Sequence, residues 1–281
     1  MDAATEARLK DCLRHIAPFS DTVQAVLHEM GRQPLNINRV CTTIELDPLL
    51  VSTILRLANS PFYGFARKIT RIKDAAVLLG VHSLRQVVLS FSMVAAFPVR
   101  AGGAFDREAL WRHSVAVGVA AKLLAEQVGH DPDEAFIAGL LHDIGKFILA
   151  QCLPEEYLAV LAYRATRQCP LVEAERLKLG VDHCQVGAVA VRHWQLPAPL
   201  AEALQYHCYP GRAPADTRLV DLVHLANVLV LGLWITPEEP PSMERLEPQV
   251  LTRLGLTWEQ LESLLPRIDS LSQEMISRML H

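Results

Sequence analysis

Apolar residues recur at helical spacing along nearly the whole chain, and this periodicity constrains the fold more than any other feature. Segments rich in Ala and Leu place apolar side chains at i, i+3, i+4 and i+7, the pattern that lays one apolar stripe along an α-helix. No sustained alternation of period two and no Asn-Gly or Asp-Gly turn accompanies them, so strands lack both their pattern and their hairpins. The reading is an all-α protein, a two-lobed helical bundle. Its 281 residues, 51% of them hydrophobic, are enough to bury a sizeable core.

Punctuation divides the chain. Helix starts are marked by side chains that can accept from first-turn amides: Asp47 before Pro48, Asp131 before Pro132-Asp133-Glu134, and Thr257 before Trp258-Glu259-Gln260, the last two read as capping boxes. Stops are expected at Asn59-Ser60-Pro61, at Gly80 and at Pro98. The clearest break is Pro98-Val99-Arg100-Ala101-Gly102-Gly103, where a helix must end and a flexible turn follow. The expected parts are an N-terminal helical lobe over 1–101, a second helical lobe over 102–235, and a loop with a helical extension over 236–281.

Charge and cysteine content exclude several classes. The formal net charge is −4, which argues against wholesale wrapping by nucleic acid. The distribution is uneven: residues 51–100 hold 7 basic side chains and one acid, Asp74. Arg67, Lys68, Arg71 and Lys73 form a run beside Phe62, Tyr63 and Phe65, a mixture suited to a phosphate-bearing ligand, a nucleic-acid strand or an acidic protein, with nucleic acid the least favoured. Six cysteines without a C-x-x-C pair suggest neither a disulfide framework nor a zinc ribbon, and favour the reducing cytoplasm. The stretch 219–235 is broken by Asp221, His224 and Asn227, so no membrane span is expected there.

Candidate chemistry centres on His142-Asp143-Ile144-Gly145-Lys146, a polar pair inside an apolar segment. Burying such a pair is costly without a compensating group. His113 shares a helix face with Leu110, Ala116, Val117 and Ala120; His183 with Val186, Gly187 and Ala190; His207 with Leu200, Ala203 and Leu204. Four segments thus each turn a ligand-type side chain toward small or aliphatic neighbours, which is how a bundle builds a metal site.

The segment His142-Asp143-Ile144-Gly145-Lys146 resembles the signature of the HD superfamily of metal-dependent phosphohydrolases. Ile44-Glu45-Leu46-Asp47-Pro48-Leu49, Leu55-Arg56-Leu57-Ala58-Asn59-Ser60, Ala75-Ala76-Val77-Leu78-Leu79-Gly80 and Leu84-Arg85-Gln86-Val87-Val88-Leu89 resemble its HDOD (HD-related output domain) branch. Gly180-Val181-Asp182-His183-Cys184-Gln185-Val186-Gly187 and Trp194-Gln195-Leu196-Pro197 are similar to it as well. The resemblance implies a bacterial regulatory module with an HD-like core in the second lobe. It also implies a first-ion set at His113, His142, Asp143 and a distant carboxylate, whose position Asn227 holds here. For a second ion, as in the dinuclear HD-GYP relatives, it implies Asp143, His183 and a His-His doublet matched by His207 and Cys208. The G-Y-P segment is absent after Tyr209-Pro210.

Asn227 removes a negative charge from the implied set, and Cys208 favours a softer metal than iron or manganese. The expectation is therefore a degenerate site holding a divalent ion (Zn, Fe or Mn) weakly or not at all. Regulation would then run through a protein partner or a small phosphate-bearing ligand, without turnover. The alternative is a metal-dependent phosphohydrolase acting on a nucleotide or cyclic dinucleotide, with Lys146 steadying developing charge. In the non-catalytic reading Lys146, one turn beyond His142, neutralises Asp143 instead.

Overall fold

The computed structural model describes residues 7–9, 11–12, 20–60, 63–64, 67–96, 105–194, 196–214, 217–233 and 246–280. Among them every regular element is helical and no strand occurs, so the all-α expectation holds. The chain forms two compact units, one of residues 17–98 with 273–281, the other of 1–16 with 99–272. The break expected at Pro98 and Gly102-Gly103, and the loop residues 236–245, lie outside the described residues.

The smaller unit contains α1 (Asp21–Gly31), α2 (Ile37–Ile44), α3 (Pro48–Ala58) and α4 (Ile72–Ala96). Asp47 caps α3 as its position before Pro48 suggests, accepting from Leu49 N at 3.0 Å and Leu50 N at 3.1 Å. The helix stops at Ala58, and Asn59 then ties down the following loop: its amide donates to the Leu55 and Ile69 carbonyls and accepts from Ile69 N, each at 2.7 Å. Gly80 breaks α4 into two stretches with φ +77°, a backbone region that glycine enters without penalty. Arg67, Lys68, Arg71 and Lys73 are all exposed, in the loop before α4 and in its first turn. Phe62 and Phe65 lie outside the described residues.

The larger unit is organised around α5 (Arg107–Val128), which is buried on nearly all sides from Ala109 to Ala125. A helix apolar all round belongs at the centre of a bundle. Its Ala, Gly and Val residues let neighbours come close: a Cβ on Gly139 would sit 2.8 Å from the Gly118 Cα, so α5 and α6 (Pro132–Leu141) meet backbone to backbone. Around them follow α7 (Ile144–Cys152), α8 (Pro154–Arg167), α9 (Leu171–Leu179), α10 (His183–His193), α11 (Ala198–Tyr206), α12 (Arg218–Gly232), α13 (Pro248–Leu254) and the part of α14 (Trp258–Leu280) up to residue 272, the rest of that helix belonging to the smaller unit. The run Pro132–Cys152 is long and apolar enough to cross a membrane by composition, but 94% of its window is buried, as core helices are.

Caps follow the sequence in part. Thr257 and Gln260 bond reciprocally, Thr257 N donating to Gln260 Oε1 at 2.8 Å and Gln260 N to Thr257 Oγ1 at 3.3 Å, the box that was expected. Asp131 accepts from Asp133 N and Glu134 N. Asp221, buried on α12, is held by Arg253 of α13 through two bonds of 2.6 and 2.7 Å and by Thr217 Oγ1 at 3.0 Å. That bidentate pair fastens α13 onto the bundle.

One expectation is corrected. Cys12 and Cys152 form a disulfide. Their separation of 140 residues hides the pair from any reading of local spacing, whereas the fold brings their Cα atoms to 5.7 Å, within bonding range.

Candidate metal centre

Local backbone decides where the polar side chains go. The apolar run that contains His142 and Asp143 is two helices with a turn at this pair, His142 ending α6 and Asp143 preceding α7. An aspartate at such a position ordinarily accepts from first-turn amides, yet Asp143 makes no cap bond. Its carboxylate turns inward, where Lys146 Nζ lies 2.6 Å from Oδ2. Gly145 lets the following helix come close to its neighbour: a Cβ there would fall 1.9 Å from the His183 carbonyl oxygen, so α7 and α10 touch through backbone atoms.

Asp143 is the hub. His142 Nε2 lies 3.1 Å and His113 Nε2 3.7 Å from its Oδ2; His183 Nε2 lies 3.3 Å and His207 Nε2 3.7 Å from its Oδ1. All five residues are at most 1% exposed. His113 enters from the middle of α5, His183 opens α10 behind an Asp182–Gln185 capping box, and His207 closes α11. Cys208 follows, its Sγ 3.8 Å from His183 Nε2. The sequence candidates His113, His142, Asp143, His183, His207 and Cys208 are therefore brought together with Lys146. Asn227 is buried on α12, which packs against α5 and α6. Arg67, Lys68, Arg71 and Lys73 belong to the other unit.

Three participants escaped the sequence reading. Cys184 Sγ lies 3.5 Å from His183 Nε2 and 3.9 Å from His207 Nε2. Glu175 on α9 is fully buried and meets His183 twice, accepting from its backbone N at 2.9 Å and contacting Nδ1 at 2.6 Å. Tyr157 donates to the other Glu175 oxygen at 3.2 Å. A buried glutamate in a helix of polar residues gives no local signal. Cys184 is hidden for another reason: neighbours in a helix diverge by about 100°, so two adjacent ligands are not anticipated from periodicity.

Burial and charge set the protonation pattern. Burial pushes the His142 imidazole down to about 4, against the upward pull of Asp143. Burial pushes the Asp143 carboxyl up, but His142, Lys146 and His183 outweigh it and hold the group well below the usual carboxylate range. For His183, burial is overcome by Glu175 and Cys208, leaving the imidazole well above its ordinary value. Burial raises the Cys184 thiol.

The ligand-type atoms fall into two groups, His113, His142 and Asp143 in one and His183, Cys184, His207 and Cys208 in the other, the atoms of each within 4.8 Å of one another. In the first group His113 Nδ1, His142 Nε2 and Asp143 Oδ1 are buried without a hydrogen-bond partner. Unsatisfied buried atoms call for a ligand or a functional role. The group fits a hard divalent ion poorly, since Asp143 is its sole carboxylate and is already bonded to an ammonium. The second group, two imidazoles and two thiols, suits a soft, tetrahedral ion.

Comparison with known proteins agrees with this architecture. The family model of the HDOD domain matches residues 16–210. The chain belongs to the HDOD family. It is similar in fold to a candidate phosphohydrolase from Shewanella amazonensis SB2B, with TM-score 0.78 and 24% identity over 97% of this chain and 98% of that one. An HDOD domain protein of unknown function from Geobacter sulfurreducens matches with TM-score 0.72 and 24% identity over 96% and 98%. An uncharacterized protein of Treponema pallidum (strain Nichols) is 24% identical over 227 residues, which are 80% of this HDOD chain but 44% of that protein. The chain thus spans less than half the length of that relative.

Proposed function

We propose that this HDOD protein is a bacterial signal-transduction module that acts by binding a regulatory protein or a small phosphate-bearing ligand, its HD site too depleted for hydrolysis. The observation that carries this reading is the donor set around Asp143. Two hard cations sharing a hydrolytic site need several anionic oxygens; here Asp143 is the one carboxylate of the His113 group and also the one facing His183 and His207, a lysine binds it at 2.6 Å, and the position to which the HD resemblance gives a further carboxylate holds a neutral amide, Asn227. The same enclosure favours the second reading, a phosphohydrolase, in one respect: His183 and His207 face Asp143 Oδ1 as ligands of a shared carboxylate would. A cytoplasmic location accompanies the regulatory reading, and the Cys12–Cys152 disulfide is the feature that speaks against a reducing compartment.

Thermal melting of wild type and Asn227→Asp, with chelator and with manganese, tests the depleted site. In chelator the variant is expected to lose roughly 2 kcal/mol, because it buries a second carboxylate on α12, at the position the HD resemblance puts beside Asp143. At this chain size that is about 4–8 °C. Manganese should recover the loss in the variant and leave wild type unmoved. A manganese-dependent rise in wild type of the same size would contradict the depleted-site reading.

Partner binding is assigned to the exposed run Arg67, Lys68, Arg71 and Lys73. Reversing all four to Glu should shift stability by within about 0.5 kcal/mol per site, while weakening association with an acidic protein or phosphorylated probe at least ~10-fold and flattening its salt dependence. Equal binding by both proteins would remove the run from the account.

A further inference from the structure

We propose that His183, Cys184, His207 and Cys208 form a closed four-ligand site for one zinc ion that pins the start of α10 to the end of α11. The four ligand atoms lie within 4.8 Å of one another, and neither cysteine is disulfide-bonded. Both imidazoles present Nε2 to the cluster and have Nδ1 fixed from behind, His183 by Glu175 at 2.6 Å and His207 by the Leu204 carbonyl at 2.8 Å. That is how metal-binding histidines are oriented, the rear acceptor fixing the tautomer and leaving Nε2 for the ion. Tyr157 in turn holds Glu175.

Charge fits as well. On binding, each thiol and the Nε2 of the His183 imidazolium lose a proton to solvent, His183 Nδ1 staying against Glu175, and two thiolates neutralise Zn²⁺ in a place where an uncompensated ion would be costly. His183, Cys184 and His207 are buried and Cys208 is half-buried, which gives the ion one way in. Cys184 corresponds to no ligand that the HD resemblance carries, so the set departs from a hydrolytic second-ion site in kind. Four protein ligands leave no open position for an attacking water. The site stands whether or not the neighbouring His113 group has any activity.

The test uses the full chain, produced without a metal-affinity tag, stripped under reducing conditions and titrated with Co²⁺ and then Zn²⁺. Binding of about one Co²⁺ per chain is expected, with the thiolate charge-transfer band and intense visible absorption of a tetrahedral sulfur site, both abolished by Zn²⁺. Zinc-edge X-ray absorption of wild type should give two sulfur neighbours at about 2.3 Å and two nitrogens at about 2.0–2.1 Å. Glu175→Gln should weaken zinc binding about 10-fold or more. One sulfur with mixed oxygen and nitrogen neighbours would overturn the assignment, since the ion would then sit on Asp143 in place of Cys184. Failure of the reduced wild type to bind Co²⁺ or Zn²⁺, including formation of only a Cys184–Cys208 disulfide on air exposure, would also overturn it. Cys184→Ser should halve the thiolate band, and an unchanged band would be equally contrary.

Discussion

Gly145→Ala is expected to destabilise the protein by about 3 kcal/mol or more, the range of severe overpacking. The added Cβ would meet the His183 carbonyl oxygen at 1.9 Å, its carbon at 2.7 Å and Gly187 N at 2.9 Å. All three are backbone atoms, so no side-chain rotation relieves the contact and α7 must move away from α10. That motion pulls Asp143 from His183, so the metal affinity of the His183 group should fall together with the stability. Gly31→Ala is the matched control, because nothing lies within 4 Å of its Cβ position. Urea unfolding of both variants should show a large loss for Gly145 and a change of under about 1 kcal/mol for Gly31. Comparable losses at both positions would mean that the two helices do not meet where the glycine places them.

Lys146→Met is expected to cost about 3 kcal/mol near neutral pH, since it leaves the buried Asp143 carboxylate without its ammonium partner. Adding Asp143→Asn to this variant should recover part of the loss, the signature of a pair whose energy lies in mutual compensation. Acid dependence follows with a definite sign. Asp143 is held below the ordinary carboxylate value, so its contribution is complete above that value and is lost as pH falls through the lower folded one. Lys146→Met should therefore be less sensitive than wild type to acid below about pH 4. A wild-type-like denaturation curve for the single variant would show that the histidines alone compensate Asp143.

The parts of this protein that sequence could foretell are those governed by local chemistry. Helical periodicity, the Asp47 and Thr257 caps and the break at Gly80 each depend on a few neighbouring residues. The convergence of His113, His142, Asp143, His183 and His207 was legible because small and aliphatic residues share each histidine's face, and the HD resemblance ordered them. Glu175, Tyr157 and Cys184 were not, since their partners are set by how α8, α9 and α10 pack. The same holds for Cys12 with Cys152 and for Asp221 with Arg253. The turn at His142-Asp143 was also missed, because the apolar run continues across it and carries no Gly or Pro at the break.

Hydrolysis measured side by side for wild type and His142→Ala is the most direct test of the proposal that this HDOD module signals without turnover. Cyclic dinucleotides and simple phosphate esters would be supplied with manganese, ferrous iron or zinc. The account predicts that any residual rate is the same in both proteins, because it comes from contaminants. A wild-type rate of roughly 1 per second or more, within the ordinary enzyme range, that disappears with His142→Ala would contradict it and make the Asp143 centre catalytic.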